Sequence, residues 1–280
     1  MAASFLVVPQ WQGSVSARAM RLIDGAEAIA GDLPAASTHR VEVPLGAGDA
    51  LGSEVERLSS LIVVRDRMRQ ALAGAASPAI VIGGDCGVEL AAIEHAAGPG
   101  TTVVWFDAHG DLNTPQSSPS KAFAGMVLRT LLGEGHEALV PQRPLEPGRV
   151  VLAGVRSIDP AEAAFIAEAG IRSVPVTGFT PDAVVAAVEA TGATSVYLHL
   201  DLDVHDPGEL AWLSLPEPFG VSSASLVETV RALVARWPLA GAAITQFAPA
   251  SAADAVDDAP AILRLIGALT SGSRPPTLEA

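Results

Sequence analysis

The chain has 280 residues, 49% of them hydrophobic and 17% charged, which is enough for one large or two ordinary domains with a buried core. A formal charge of −14 and a single lysine leave too few cations for a nucleic-acid-binding face. One cysteine excludes an intramolecular disulfide framework and favours a reducing compartment. Because we find neither a secretory signal nor an apolar run of about 18 residues, we predict a cytoplasmic protein that binds neither nucleic acid nor membranes.

Short apolar segments alternate with longer helical patterns along the chain. Eight segments are predicted as strands: residues 5–8, 39–43, 79–82, 102–106, 150–153, 172–176, 195–200 and 242–247. Helices are predicted over residues 53–75, 88–97, 122–132, 160–169, 182–190, 223–237 and 252–269. Several strands are hydrophobic throughout, which is typical of parallel strands buried on both faces. The alternation predicts an α/β protein: a single domain over residues 1–280, with a mostly parallel sheet between helices and a disordered tail over residues 271–280.

Three predicted strands end in polar clusters. These are Gly83-Gly84-Asp85-Cys86-Gly87, Asp107-Ala108-His109-Gly110-Asp111 and Asp201-Leu202-Asp203. In open α/β sheets ligands bind beyond the carboxyl ends of the strands, and a spacing of two residues directs side chains to the same side. Four carboxylates and an imidazole in a small volume need a neutralising cation, and this donor set suits Mn²⁺ or another first-row ion. Taken singly, the second cluster is also compatible with a solvated turn and the third with an ordinary loop.

The segments at 83–86, 107–113 and 201–207 resemble the signature motifs of the ureohydrolase superfamily, which includes arginase, agmatinase and formimidoylglutamase. The resemblance extends from about residue 83 to residue 249. It implies an arginase-like three-layer α/β/α fold, a binuclear manganese site and a homo-oligomer, often a trimer or hexamer. It also implies hydrolysis of a guanidino or related C–N bond in a small-molecule substrate.

The resemblance also assigns roles to individual positions. The implied metal ligands are Cys86, Asp107, His109, Asp111, Asp201 and Asp203. Asp107 and Asp201 would bridge two divalent ions, which share a water and convert it to the attacking hydroxide. Asp111 would pass a proton from that water to the leaving amine. The positions implied to contact substrate are Asn113, Ser120 and Asp159, at the amino-acid end, and Gln246, at the guanidinium end.

Three positions depart from the family pattern. Cys86 stands where a histidine ligand is expected, so that either a thiolate favours Zn²⁺ or Fe²⁺ over Mn²⁺, or the thiol stays protonated and one metal position is weak or empty. Ala124 stands where arginases and agmatinases have a histidine. Gln246 replaces a guanidinium-binding glutamate, which costs on the order of 2–4 kcal/mol of binding in a dry pocket. Efficient turnover of arginine or agmatine is therefore not expected.

Two further residues lie near the predicted site. His199 faces the same side of its strand as Asp201, either as a hydrogen-bond partner of the ligands, as a replacement for the imidazole missing at Cys86, or as a core histidine. Lys121 either meets an anionic substrate group or is a solvated loop lysine. We therefore predict a divalent-metal-dependent hydrolase of a C–N bond in a linear amidine or guanidino compound. The alternative is a catalytically inactive arginase-like protein with a binding or assembly role.

Overall fold

An eight-stranded, all-parallel sheet forms the centre of the protein in a computed structural model that describes residues 3–272. The strands are β1 Ser4–Val8, β2 Thr38–Arg40, β3 Ala79–Gly83, β4 Thr101–Phe106, β5 Val150–Ala153, β6 Arg172–Val174, β7 Ser195–Asp201 and β8 Leu239–Thr245. Their order across the sheet is β2-β1-β3-β8-β7-β4-β5-β6. All eight predicted strands are thus present, and the predicted mostly parallel sheet is confirmed.

Helices cover both faces of the sheet and complete the three layers. They are α1 Arg21–Gly31, α2 Leu58–Leu72, α3 Glu89–Ala96, α4 Val127–Leu131, α5 Pro160–Ala169, α6 Pro181–Glu189, α7 Ser223–Arg236 and α8 Ala252–Ser271. Helices α1, α6, α7 and α8 pack on one face and α2, α3, α4 and α5 on the other. Side chains of successive strand residues, such as Val7 and Val8, enter opposite layers because the strand repeat is two residues.

The helices differ from the predictions at four places, one of which is α2, which begins at Leu58 and not at residue 53. Helix α1 was not predicted, because Gly25 interrupts its apolar pattern. A Cβ at Gly25 would lie 1.9 Å from the Phe247 carbonyl oxygen, so the glycine permits close contact between α1 and the segment after β8. The predicted helix over 122–132 is reduced to α4 behind a single 3₁₀ turn. Helix α8 continues to Ser271, and the rest of the predicted tail, residues 273–280, lies outside the described residues.

The strand order places the predicted site at the middle of one sheet edge. The chain leaves β3 and enters β4 three strand positions further on, and β8 and β7 later fill the two positions between them. The carboxyl ends of β3, β8, β7 and β4 therefore lie side by side. In parallel sheets this edge is where ligands bind. Among residues 3–272, none of the helices combines the length and apolar composition that a membrane span requires.

Candidate metal centre

The turn after β3 is held in shape by Asp85, whose carboxylate accepts hydrogen bonds from the backbone N–H groups of Gly13 and Gly87 and from the Gln10 amide. Burial raises the pKa of Asp85 to about 6 in spite of these three donors. A Cβ at Gly84 would lie 1.9 Å from the Gln10 carbonyl oxygen, so this position requires glycine. Asp85 is thus a structural residue that directs Cys86 toward the sheet edge.

Backbone N–H groups fix one oxygen of each strand-end carboxylate. Asp107 Oδ1 accepts from the His109 N–H at 2.7 Å, and Asp201 Oδ1 accepts from the Asp203 N–H at 2.8 Å. Asp203 Oδ1 accepts from the Ala108 N–H at 3.1 Å, which ties the turn after β7 to the turn after β4. The second oxygen of each group can then face its neighbours in a defined position.

Two clusters of metal-binding atoms result. The first joins Cys86, Asp107, His199 and Asp201, all buried, with one ligand atom of each lying within 4.8 Å of the others. The second joins Asp107, His109 and Asp203, with His109 Nδ1 at 3.3 Å from Asp107 Oδ1 and 3.2 Å from Asp203 Oδ2. Asp107 is common to both clusters. Five of the six metal ligands implied by the sequence thus lie in two adjacent clusters able to bind metal ions.

Burial makes this concentration of acidic groups costly. Asp107, Asp201 and Asp203 are each only 1% exposed. Burial, followed by the charges of Asp203 and Asp107, raises the pKa of Asp201 well above its usual value. Burial and then the charge of Asp201 likewise raise the pKa of the Cys86 thiol. A divalent cation would reverse both effects, since it stabilises the deprotonated forms. The donor set therefore fits bound metal ions.

Asp111 lies beside the clusters and belongs to neither. Its backbone φ of 52° is in the left-handed region, and its buried Oδ2 has no hydrogen-bond partner among the described residues. Burial, followed by the charge of Asp107, raises its pKa well above the usual value for a carboxyl group. A carboxyl group in this position can hold a proton next to the metal-binding atoms.

Gln246 follows β8 and closes the first cluster from the side of that strand. Its Nε2 donates to Cys86 Sγ at 3.3 Å, while its buried Oε1 has no partner among the described residues. The backbone φ is 68°, and the Gln246 N–H donates to the Gly84 carbonyl at 2.8 Å. Two of the three departures from the family pattern, at positions 86 and 246, are therefore in direct contact.

The residues expected at the amino-acid end of a substrate are only partly brought together. Asn113 is buried and donates from Nδ2 to Asp159 Oδ2 at 2.9 Å. Ser120 is exposed and its hydroxyl accepts from the Ala122 N–H within its own loop. Lys121 Nζ donates to the Pro115 carbonyl at 2.6 Å and lies 3.3 Å from Glu54 Oε1.

Three buried residues around His199 were not singled out in the sequence. Glu89, the first residue of α3, accepts from the Tyr197 hydroxyl and lies 2.7 Å from His199 Nδ1. Trp105 stacks on His199 with ring centroids 3.7 Å apart and donates to Asp107 Oδ2. A glutamate three residues after Cys86, in a segment that is otherwise apolar, was the available signal. Burial would lower the pKa of His199, but Asp107 and Glu89 raise it to about 9.

An arginine fastens the loop after the second cluster. Arg156 donates to the carbonyl oxygens of Asp203, His205 and Glu217. Glu217 Oε1 lies 3.8 Å from His109 Nε2. The guanidinium therefore joins the segment after β5 to the loop that borders the centre.

The fold and the two clusters together define an α/β protein with a candidate binuclear metal centre at the carboxyl edge of its sheet. A family model described as "Arginase family" matches residues 20–270. The chain therefore belongs to the arginase family. This confirms the predicted superfamily and fold, and with them the prediction of a ureohydrolase-like hydrolase of C–N bonds in linear amidines.

Individual relatives agree with this assignment. The chain is 32% identical over 232 residues to an N(omega)-hydroxy-L-arginine amidinohydrolase of Streptomyces lavendulae, covering 79% of this chain and 80% of that protein. It is 34% identical over 154 residues to an arginase of Bacillus subtilis, covering 51% of this chain and 52% of that protein. The arginase structure of Entamoeba histolytica superposes with a TM-score of 0.84 at 22% identity, covering 96% of this chain and 98% of that one. At this identity the structural likeness concerns the fold.

Proposed function

We propose that the protein is a divalent-metal-dependent amidinohydrolase that cleaves a guanidino C–N bond and prefers a guanidine less basic than that of arginine. The observation that carries this proposal is the buried, neutral Gln246 amide beside the first cluster. A protonated guanidinium gains most from a charge-assisted, bidentate pair with a carboxylate, which an amide does not offer. The unpaired amide oxygen can instead accept a hydrogen bond from the N–H or O–H of a neutral group, which does not need a carboxylate.

An N-hydroxyguanidino acid fits this requirement best. The electron-withdrawing hydroxyl group lowers the basicity of the guanidine, so that a neutral acceptor suffices to bind it. The relative from Streptomyces lavendulae, whose name specifies such a substrate, covers most of this chain. We therefore propose Nω-hydroxy-L-arginine or a close analogue as the substrate, with arginine and agmatine as poor ones.

Bound divalent ions would supply hydroxide as the nucleophile at neutral pH by lowering the pKa of water. We assign the ligands to Cys86, Asp107, His109, Asp201 and Asp203, with Asp111 beside them. The buried, unpartnered Oδ2 of Asp111, beside the metal-binding atoms, suits it to accept a proton and transfer it to the leaving amine. Gln246 would orient the guanidino group, and Asn113, Ser120 and Asp159 would hold the amino-acid end.

Mn²⁺ is the ion that the family resemblance implies, and the sulfur of Cys86 makes Zn²⁺ or Fe²⁺ its competitors. The position of Lys121 beside Glu54 supports the interpretation of a loop lysine over that of an anion-binding group. The single domain, the cytoplasmic location and a homotrimer or homohexamer are also part of this proposal, and light scattering on purified protein tests the oligomer.

The substrate proposal is tested on protein stripped of metal and reloaded with Mn²⁺, Zn²⁺ or Fe²⁺. Nω-hydroxy-L-arginine, L-arginine, agmatine and a formimino amino acid are compared by release of the amine product, with chelated protein as the control. We expect two ions per chain and the highest kcat/KM for the N-hydroxylated substrate. If protein with two bound ions hydrolyses none of the four, or prefers arginine, the proposed specificity is wrong.

A further inference from the structure

One ring nitrogen of His199 contacts a carboxylate, and the other faces the first cluster. The side chain is fully buried, and its Nδ1 lies 2.7 Å from Glu89 Oε1. Its Nε2 is buried without a hydrogen-bond partner among the described residues, and the nearest Asp107 oxygen is 3.7 Å away. A buried polar atom is costly when it lacks a partner, so its persistence needs an explanation.

The ring cannot easily turn to satisfy that nitrogen elsewhere. Trp105 stacks on it with an interplanar angle of 24° and ring centroids 3.7 Å apart. Glu89, which holds the opposite nitrogen, is itself fully buried and accepts from the Tyr197 hydroxyl through its other oxygen. Stacking and a doubly bound carboxylate thus keep Nε2 directed at Cys86, Asp107 and Asp201.

The hydrogen bond at Nδ1 also sets the chemical character of Nε2. A carboxylate partner at 2.7 Å favours the arrangement in which Nδ1 is the donor. A metal ion would then take the place of a proton at Nε2 and use the lone pair of that nitrogen. Histidines that bind metals commonly donate their second N–H to a carboxylate, which orients the ring and raises its basicity. The same arrangement of carboxylate, imidazole and metal-binding atoms is present in Glu89, His199 and the first cluster.

Resting on the proposed metal-dependent function, we propose that His199 Nε2 is a ligand of the first metal position and replaces the imidazole absent at Cys86. Glu89 orients this ligand, and Tyr197 holds Glu89. The first position then has a thiolate, an imidazole and two carboxylates, whereas the second has an imidazole and carboxylates only. Position 199 is not among the ligands that the family resemblance implies.

The test uses Co²⁺ on the full-length, metal-free protein, because a thiolate bound to Co²⁺ gives a charge-transfer absorption that reports the position next to Cys86. His199→Phe removes the nitrogen and keeps a ring against Trp105. Glu89→Gln keeps the shape of the side chain and removes its charge. His205→Phe is the matched control, since His205 is equally buried, also has an unpartnered Nε2, and lies outside both clusters.

We expect the wild-type protein and the control to bind two Co²⁺ ions. In His199→Phe the thiolate absorption should need more than about 100-fold higher Co²⁺ while the second ion still binds, and in Glu89→Gln the affinity should fall about 10- to 100-fold. Unchanged thiolate absorption and stoichiometry in both variants would overturn the role of His199 and leave the proposed function standing. A wild-type protein that binds no ion would overturn both. If His199→Phe does not fold, the Co²⁺ affinity of Glu89→Gln decides.

Discussion

Substitution of Gln246 by glutamate tests directly why this chain should differ from an arginase. The side chain is 2% exposed, its Oε1 lacks a partner among the described residues, and its Nε2 donates to Cys86 Sγ. Gln246→Glu supplies the charge that a guanidinium prefers without a change of shape. It also removes a hydrogen-bond donor from the sulfur.

The size of the effect follows from the buried position. A charge-assisted pair in a dry pocket contributes on the order of 2–4 kcal/mol, which corresponds to roughly a 30- to 1,000-fold rise in kcat/KM for arginine. The new carboxylate would face the Cys86 sulfur at the present distance of 3.3 Å, and its repulsion of a thiolate weakens the first metal position. The gain should therefore appear fully only at saturating metal, or when Cys86→His is combined with Gln246→Glu.

The assay is steady-state hydrolysis of L-arginine and Nω-hydroxy-L-arginine at saturating Mn²⁺ by the wild type, both single variants and the double variant. Gln142→Glu is the matched control, because it makes the same charge change at an exposed position. The reasoning fails if Gln246→Glu leaves arginine turnover unchanged in both backgrounds, or if it raises turnover of both substrates equally.

Four further results are expected. Chelation should lower the thermal midpoint by about 9 °C relative to protein at 100 times the metal Kd, from about 5 kcal/mol of binding at two sites, and equal midpoints would contradict metal binding. Arg156→Lys should reduce the free energy of unfolding in denaturant by about 2–3 kcal/mol, since an ammonium group cannot serve the carbonyls of Asp203, His205 and Glu217 together. Burial raises the pKa of Glu162 above 4.5, so its contribution to stability is present at low pH and is lost as pH rises through the folded-state value. As pH rises from 4, the free energy of unfolding of Glu162→Gln should therefore increase relative to that of the wild type. If the two free energies change in parallel with pH, this expectation is wrong. Gly84→Ala should not yield soluble folded protein, because the Cβ would lie 1.9 Å from a carbonyl oxygen, whereas Gly98→Ala, with nothing within 4 Å, should fold as the wild type does.

Much of the fold was accessible because hydrophobic period and strand-end chemistry are local properties. Helix α5 begins at Pro160 and ends at Ala169, as predicted from Asp159 and Pro160. Central strands such as β3, β4 and β5 follow from apolar runs, which need burial on both faces. Helix α1 escaped prediction because Gly25 serves a contact with Phe247, a residue distant in the chain.

In the candidate site, too, some features could be predicted from local sequence and others depend on contacts between distant residues. Its acidic residues could be predicted, because their spacing and their position after strands are visible in the sequence. The partnership of Glu89 with Tyr197 and His199 could not, since 108 and 110 residues separate them from the glutamate. The contact between Cys86 and Gln246 joins positions 160 residues apart. In the sequence, Cys86 and Gln246 look like two independent departures from the family pattern, and their contact is visible only in the folded sheet.

The amino-acid sequence by itself determined the chemical repertoire: parallel strands, acidic groups at their ends, and a thiol and an amide at two unusual positions. The tertiary structure decided which of these groups meet, because β7 and β8 are inserted between β3 and β4 and bring four strand ends into one row. Strand order depends on how the helices pack over the whole sheet, and backbone hydrogen bonds between parallel strands are alike for any sequence. For this reason the sequence leaves three roles open for His199, and only the folded chain brings its imidazole beside Cys86.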